Sequence, residues 1–399
     1  VEHSHMETTT AFVGLECVDC GATFDAEEHH RCPDCGGLLD PQYAYDEIDL
    51  DSETLASRPF ESMWRYEELL PFPHASAVSM AEGATPLVEC PTLAAELGVD
   101  RVLIKDESRN PTGAAVDRGQ SLAVTATTHH NAETVTLASP GNGGQSAAAY
   151  AGRAGLESTV YLPSRSSFTT KAMVNVHGGE MSVVGGRFDD ALAAYEEGLA
   201  EHDDRYSLQS FTTPYRHEGM KTILYEIVEQ LEWDVPDIIC YPTGSGTGIV
   251  GLAKATRELE TLGLIEDQPA LYATQADGCA PIVEAYEAGD DEITPTEHPD
   301  TICGDLEIPD PAGGSWALEA IRRTDGGAIA LEDQDILEAG VQVAANEGLE
   351  CAPSSATAAA GAWELTGTFD GDETIVLVNT AAGSKEADVL RSHLMSQGI

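Results

Sequence analysis

From residue 101 onward, short β-branched or aliphatic runs alternate with longer stretches of helical periodicity, and this alternation restricts the fold class more than any other feature. The strand-like runs are 101-RVLIKD-106, 134-TVTLAS-139, 158-STVYLPS-164, 181-MSVVG-185, 237-DIICYP-242, 270-ALYATQA-276 and 374-TIVLVNT-380. Helices are expected over 142–155, 189–202, 219–233 and 332–348. Strands that alternate with helices build parallel sheet covered on both faces, so an α/β protein is expected. In such folds ligands bind where strand C-termini meet helix N-termini.

Two turns of that kind stand out. In 138-ASPGNGGQSAAAYAG-152 a strand runs through glycines and Asn142 into an alanine-rich helix. In 241-YPTGSGTGIVGLAKA-255 a strand ends at Pro242, and Gly244, Ser245, Gly246, Thr247 and Gly248 lead into another helix. Unpartnered amides and the helix dipole favour a phosphate at such a start. Gly246, Gly248 and Gly251 also spell G-x-G-x-x-G, which admits a nicotinamide-dependent oxidoreductase. That reading wants an acidic residue closing the next strand, and here the strand closes on Thr274, Gln275 and Ala276.

A separate unit precedes the alternation. In 15-LECVDCGATFDAEEHHRCPDCGGLLD-40, Cys17 and Cys20 form one C-x-x-C and Cys32 and Cys35 another. Two such knuckles supply four thiolates to a structural Zn2+, and so short a polar segment would depend on the metal for its fold. His29 and His30 read as loop residues beside a site that four sulfurs already fill. The remaining five of nine cysteines are scattered, which is no disulfide framework and fits a reducing cytoplasm.

The charge is extreme: 69 acidic against 20 basic residues, a formal net charge of −49 over 399 residues. Nucleic-acid binding, which needs clustered Lys and Arg, is excluded on that balance. Runs such as 281-PIVEAYEAGDDEITPTEHPD-300 read as a solvated, self-repelling surface suited to a very salty cytosol, with stability expected to depend on salt. No run of eighteen apolar residues suggests a membrane span. The first ten residues lack the apolar core of a signal peptide, and Val1 or Met6 could be the start.

At 82-EGATPLVECPTLAAELGVDRVLIKDESRNPTGAAVDRG-119 the chain resembles threonine synthases of the fold-type II pyridoxal-phosphate family, whose motif reads EG-x-TPL…KDE…NPTGSFKDRG. Further matches are the S-x-GN loop at Ser139–Asn142, 214-PYRHEGMKTILYEI-227, the G-S-G loop at 244, 274-TQADGCAPI-282, 353-PSSATAAA-360 and the strand ending at Thr380. The resemblance implies two parallel-sheet, three-layer domains with pyridoxal 5'-phosphate in the cleft between them, behind a zinc ribbon. The expected boundaries are ribbon 11–40, linker and start of the large domain 41–99, small domain 100–215 and large domain 216–399.

The resemblance also implies roles. Asn142 would bond the cofactor's 3-oxygen, residues 244–248 would cradle its phosphate, and Thr380 would lie beside the pyridine nitrogen. The implied reaction converts O-phospho-homoserine and water to threonine and phosphate, in a homodimer. It uses the Schiff-base lysine of S-F-K-D-R-G, and here that triplet is Ala114, Ala115 and Val116. Val116 can neither form an imine nor carry a proton. The cofactor would then be held non-covalently or be lost.

Only five lysines exist, at 105, 171, 221, 254 and 385. Lys105 is expected to pair with Asp106 or Glu107, only Lys221 and Lys385 lie near motifs that could face the cleft, and none is expected to replace the missing amine. Three functions therefore stand side by side: a divergent pyridoxal-phosphate enzyme, a lysine-less relative that binds a phosphorylated amino-acid-like ligand, and a nicotinamide oxidoreductase.

Overall fold

The computed structural model describes residues 7–26, 30–130, 132–202 and 204–398; His29, Val1 and Met6 lie outside the described residues. Its strands are β1 (Phe12–Cys17), β2 (Thr23–Phe24), β3 (Leu39–Tyr43), β4 (Leu87–Glu89), β5 (Arg101–Asp106), β6 (Thr134–Ala138), β7 (Glu157–Pro163), β8 (Glu180–Val184), β9 (Arg205–Ser207), β10 (Ile238–Pro242), β11 (Ala270–Ala276), β12 (Gly327–Leu331) and β13 (Thr374–Asn379). Its α-helices are α1 (Ser52–Ala56), α2 (Pro91–Leu97), α3 (Val116–Thr127), α4 (Asn142–Ala154), α5 (Phe168–Val176), α6 (Phe188–Ala200), α7 (Arg216–Gln230), α8 (Thr247–Thr261), α9 (Pro281–Ala288), α10 (Gly314–Arg323), α11 (Asp333–Glu347), α12 (Pro353–Glu364) and α13 (Ala387–Ser396).

Three sheets result. The N-terminal unit is an antiparallel sheet of order β2-β1-β3. The large sheet runs β12-β11-β10-β13-β5-β4, parallel except for the edge strand β4. The small sheet, β8-β7-β6-β9, is parallel throughout. Strand β5, grouped with the small domain when the boundary is drawn at residue 100, pairs instead with β13 in the large sheet. The boundary moves because the crossover from β5 enters the small sheet only after α3.

Alternation within the strands of the large sheet sorts its core into two layers. Val102, Ile104, Ile375 and Leu377 face one way, toward α2, α11 and α12, whereas Leu103, Val376 and Val378 face α7, α8 and α10. In the small sheet Val135 and Leu137 pack with Ala123 and Val124 of α3 and the alanines of α4. The acid-rich stretch is exposed from Glu287 to Glu292, as a solvated surface requires.

One packing detail positions the cleft. Helices α3 and α7 cross at facing glycines: a Cβ at Gly219 would stand 2.2 Å from the Arg118 carbonyl oxygen, and one at Gly119 2.7 Å from that of Arg216. Side chains there would force the helices apart. Their close approach brings the first residues of both helices, Val116 and Arg216, to one cavity. The N-terminal unit packs Leu15, Cys17 and Cys32 in one cluster with Leu122 and Ala126 of α3, so it buttresses the same helix. No helix among the described residues is long and apolar enough to cross a membrane.

Candidate active site

The cavity lies where the two parallel sheets face each other, at the C-terminal ends of β6 and β10. The loop after β10 gives it one wall, formed by Gly244, Ser245, Gly246, Thr247 and Gly248. Gly246 has φ +95°, and a Cβ on it would lie 2.9 Å from the Gly313 carbonyl oxygen. At Gly248 a Cβ would collide with the Tyr241 ring at 2.1 Å. The loop is therefore a backbone surface, and it ends on the first turn of α8, whose amides have no carbonyl partner within the helix. Gly251, the last glycine of the G-x-G-x-x-G, faces the α7 backbone at His217 and Lys221, where it serves helix packing.

Opposite stands Asn142, the first residue of α4. Its backbone amide donates to Asp305 Oδ1 at 2.8 Å and its Nδ2 donates to Asp305 Oδ2. The turn before it is held by Ser139 Oγ, which accepts from the amides of Gly141 (3.1 Å) and Gly144 (2.9 Å). Pro140, which lacks an amide, uses its carbonyl to accept from Ser166 Oγ at 2.8 Å. Thr380 lines the cavity at the end of β13, with its hydroxyl 2.9 Å from Ser355 Oγ.

Val116 also lines the cavity, half-buried against Ala114, Ala352 and Ala381. The segment before it is strapped to the strand end: Ala115 N donates to Thr380 O at 2.9 Å, and Ala382 N to Gly113 O at 3.0 Å. Asp117 behind it accepts from Thr112 N (2.7 Å), Thr112 Oγ1 (2.6 Å) and Ser146 Oγ (2.5 Å). Burial pushes the Asp117 carboxyl up to about 6 against those bonds. The frame around residue 116 is thus ordered although the residue itself is inert.

Among the described residues, Arg216 has no partner of opposite charge. It is buried, lines the cavity, and its side chain donates to the Leu208 carbonyl at 3.3 Å; burial pulls the guanidinium down to about 10. An unpaired buried cation facing a cavity is suited to an anionic ligand. Arg31, from the N-terminal unit, lines the same cavity from an exposed position. Neither arginine was distinguished by sequence pattern alone, although Arg216 stands inside the PYRHEG motif.

The lysines distribute differently from expectation. Lys105 bonds Glu226, Thr85 O and Gln230 at 2.7–2.8 Å rather than Asp106 or Glu107, because it points away from its own turn into the α7 interface. Lys221 is buried between Glu218 (2.6 Å) and Glu258 (3.0 Å), away from the cavity. Lys254 pairs with Asp40 and Glu218, and Lys171 reaches the Ser164 carbonyl at the surface. Lys385 alone comes to a cavity residue, donating to Asn142 Oδ1 at 2.8 Å.

At the N-terminal unit the four predicted cysteines converge. All four Sγ atoms lie within 4.8 Å of one another, with Cys17 and Cys35 at 3.5 Å and Cys20 and Cys32 at 3.7 Å. A second cluster, Asp40, His217 and Glu218, already holds the Lys254 ammonium, which occupies the place of a cation.

Comparison with known proteins agrees with this geometry. Residues 78–381 match the family described as pyridoxal-phosphate dependent enzyme. The threonine synthase of Methanocaldococcus jannaschii is 39% identical over 377 residues, covering 93% of each chain. That of Synechocystis is 35% identical over 313 residues, covering 78% of this chain and 79% of its own. Among solved structures, diaminopropionate ammonia lyase from Escherichia coli superposes with a TM-score of 0.69 at 18% identity, covering 85% of this chain and 94% of its own. Maize serine racemase gives 0.65 at 19%, covering 79% and 94%. These likenesses show the fold, and the family match together with the relatives' length and identity shows membership: the chain belongs to the pyridoxal-phosphate-dependent enzyme family as a threonine synthase-like protein.

Proposed function

We propose that the cavity binds pyridoxal phosphate and acts on a phosphorylated amino acid, with O-phospho-homoserine and water giving threonine and phosphate. The observation that carries this reading is the backbone cradle at 244–248 opening onto the same space as Asn142, Thr380 and the unpaired Arg216. The residues present fit the group: at Gly246 and Gly248 the loop packs so closely on the Gly313 carbonyl and the Tyr241 ring that only glycine fits, which leaves a loop of backbone there, and the first turn of α8 supplies amides for a phosphate. Thr380 would offer its hydroxyl to the pyridine nitrogen, and Asn142 would bond the 3-oxygen by exchanging Asp305 for it. When bound, the cofactor would supply the electron sink for the substrate's reacting carbons. Arg216 would hold the substrate's phosphate, whose charge satisfies the guanidinium.

A second reading is favoured by Val116 alone: a relative that binds the phosphorylated ligand without turnover. One experiment separates the two. Protein purified at high salt is dialysed against pyridoxal phosphate, and phosphate release from O-phospho-homoserine is followed. Uptake near one per chain with phosphate release is expected; uptake without release leaves the binder, and no uptake at millimolar cofactor removes both. Arg216→Ala should lower kcat/KM by about 10- to 100-fold through loss of charged hydrogen bonds.

We propose further that Cys17, Cys20, Cys32 and Cys35 hold a structural zinc. A tetrahedron with Zn–S near ~2.3 Å has edges of about 3.8 Å, close to the paired sulfur separations. Metal analysis of protein never exposed to chelator should give about one zinc per chain, the stoichiometry of a single four-thiolate site. Well under one would defeat the assignment.

A further inference from the structure

Lys385 stands in the short turn Gly383–Glu386, five residues beyond Thr380. That turn is folded against the segment from which the amine is missing, through the Ala114–Ala381 bridge and the Gly113–Ala382 hydrogen bond. The Lys385 stem passes directly over Gly113: its Cε would be 3.2 Å from a Cβ built there. Gly113, at φ +78°, leaves this path open. Beyond it the side chain is almost fully buried, and Nζ ends between Asn142 Oδ1 and Gln145 Oε1, both at 2.8 Å.

The nature of those acceptors matters. Lys105, Lys221 and Lys254 each sit against a carboxylate. Lys385 makes no ion pair within 4.0 Å among the described residues, and its two acceptors are neutral amides. A buried amine held this way exchanges its proton at low cost, the property that suits lysine to general-base work.

We propose that Lys385 is the amine that serves this cavity in place of the one absent at residue 116, holding and moving protons at its Nζ beside Asn142. The inference rests on the pyridoxal-phosphate reading above, and it requires no covalent bond to the chain. Several groups surround Nζ: Asp117 from α3, Asp305 from the turn at Gly304–Leu306, Glu386 from its own turn, and His177 at the end of α5. Burial lowers the Lys385 amine, and Asp305, Asp117 and Glu386 act in the opposite sense. Burial also pushes the Glu386 carboxyl up to about 8, so it opposes less than its formal charge suggests.

Five lysines make the test tractable. In the full chain carrying lysine labelled with carbon-13 at Cε, Lys385→Met assigns one resonance by its disappearance. That resonance should titrate below the pH at which a free lysine does, because burial outweighs the surrounding carboxylates, and should shift when pyridoxal phosphate is added. Lys385→Met should retain cofactor uptake within a few-fold while phosphate release falls on the order of 10²-fold or more. A resonance that titrates like free lysine, or that ignores bound cofactor, overturns the inference, as does undiminished phosphate release in Lys385→Met. Failure of the unsubstituted protein to take up cofactor is a different result, and it removes the parent reading together with this one.

Discussion

Val116→Lys will keep pyridoxal phosphate through dialysis, and borohydride will fix the cofactor to the peptide that carries residue 116. Every part of the frame that would present such an amine is in place. Residue 116 opens α3, lines the cavity and is surrounded by the small side chains Ala114, Ala352 and Ala381, so a four-carbon stem has an open direction to follow. The preceding backbone is tied to Thr380 and Ala382, and Asp117 is held by three hydrogen bonds. Position 116 also lies at the positive end of a helix, which disfavours a cation by roughly 0.3–1 kcal/mol and so favours the neutral amine. Phosphate release from O-phospho-homoserine should rise by on the order of 10²–10⁴ over the unsubstituted protein, the usual contribution of a placed acid-base group. Peptide mapping after reduction checks the site of attachment. Label found nowhere, with the variant folded, would mean that the cavity does not present cofactor to residue 116.

Four of the six strands of the large sheet were legible because parallel strands buried on both faces read as near-continuous apolar or β-branched runs, and 101–106 and 270–276 match β5 and β11 residue for residue; the two edge strands, β4 and β12, are not among those runs. The glycine loop at 244 and the four cysteines were legible for a related reason: backbone approach and metal ligation each demand particular residue types at close spacing. What escaped was whatever depends on distant pairing. Lys105 binds a carboxylate 121 positions away, and Lys385 reaches Asn142 across 243. No local pattern announces either contact. Asp305 was hidden for another reason: it follows an acid-rich surface stretch and shares its composition, yet it is half-buried and bonded to Asn142. Helix α3 was obscured because buried polar residues on it, Asp117, Arg118, Gln120 and Ser121, break the apolar stripe that marks a surface helix.

Those polar residues explain why the D-R-G that follows residue 116 persists beside an inert valine. Arg118 is wholly buried. It bonds Glu107 through Nε and Nη2 at 2.7 Å, Glu226 at 2.6 and 2.8 Å, Thr222 at 2.9 Å and Thr85 at 3.2 Å. It joins α3 to the turn after β5 and to α7 whether or not chemistry follows. Arg118→Met is therefore expected to cost about 3–5 kcal/mol, because it strands buried carboxylates, and that is a large share of the ~5–15 kcal/mol that holds a domain folded. The pH dependence identifies the cause. Burial raises the Glu226 carboxyl, but Arg118 and Lys105 outweigh it and hold the group at about 2, against 4.5 when free. Its pairing thus stabilises the fold above pH ~4.5 and is lost as pH falls toward 2. In Arg118→Met the same carboxyl keeps Lys105 but loses Arg118, the larger of the two charges that hold it down, and so moves toward its protonated form. The stability difference between the two proteins, measured by urea unfolding at fixed high salt, should shrink on going from pH 7 to pH 3. Repulsion among the surface acids is common to both chains and cancels in that difference. A gap that stays constant or widens on acidification would assign the loss to packing around the arginine stem instead of to its charge.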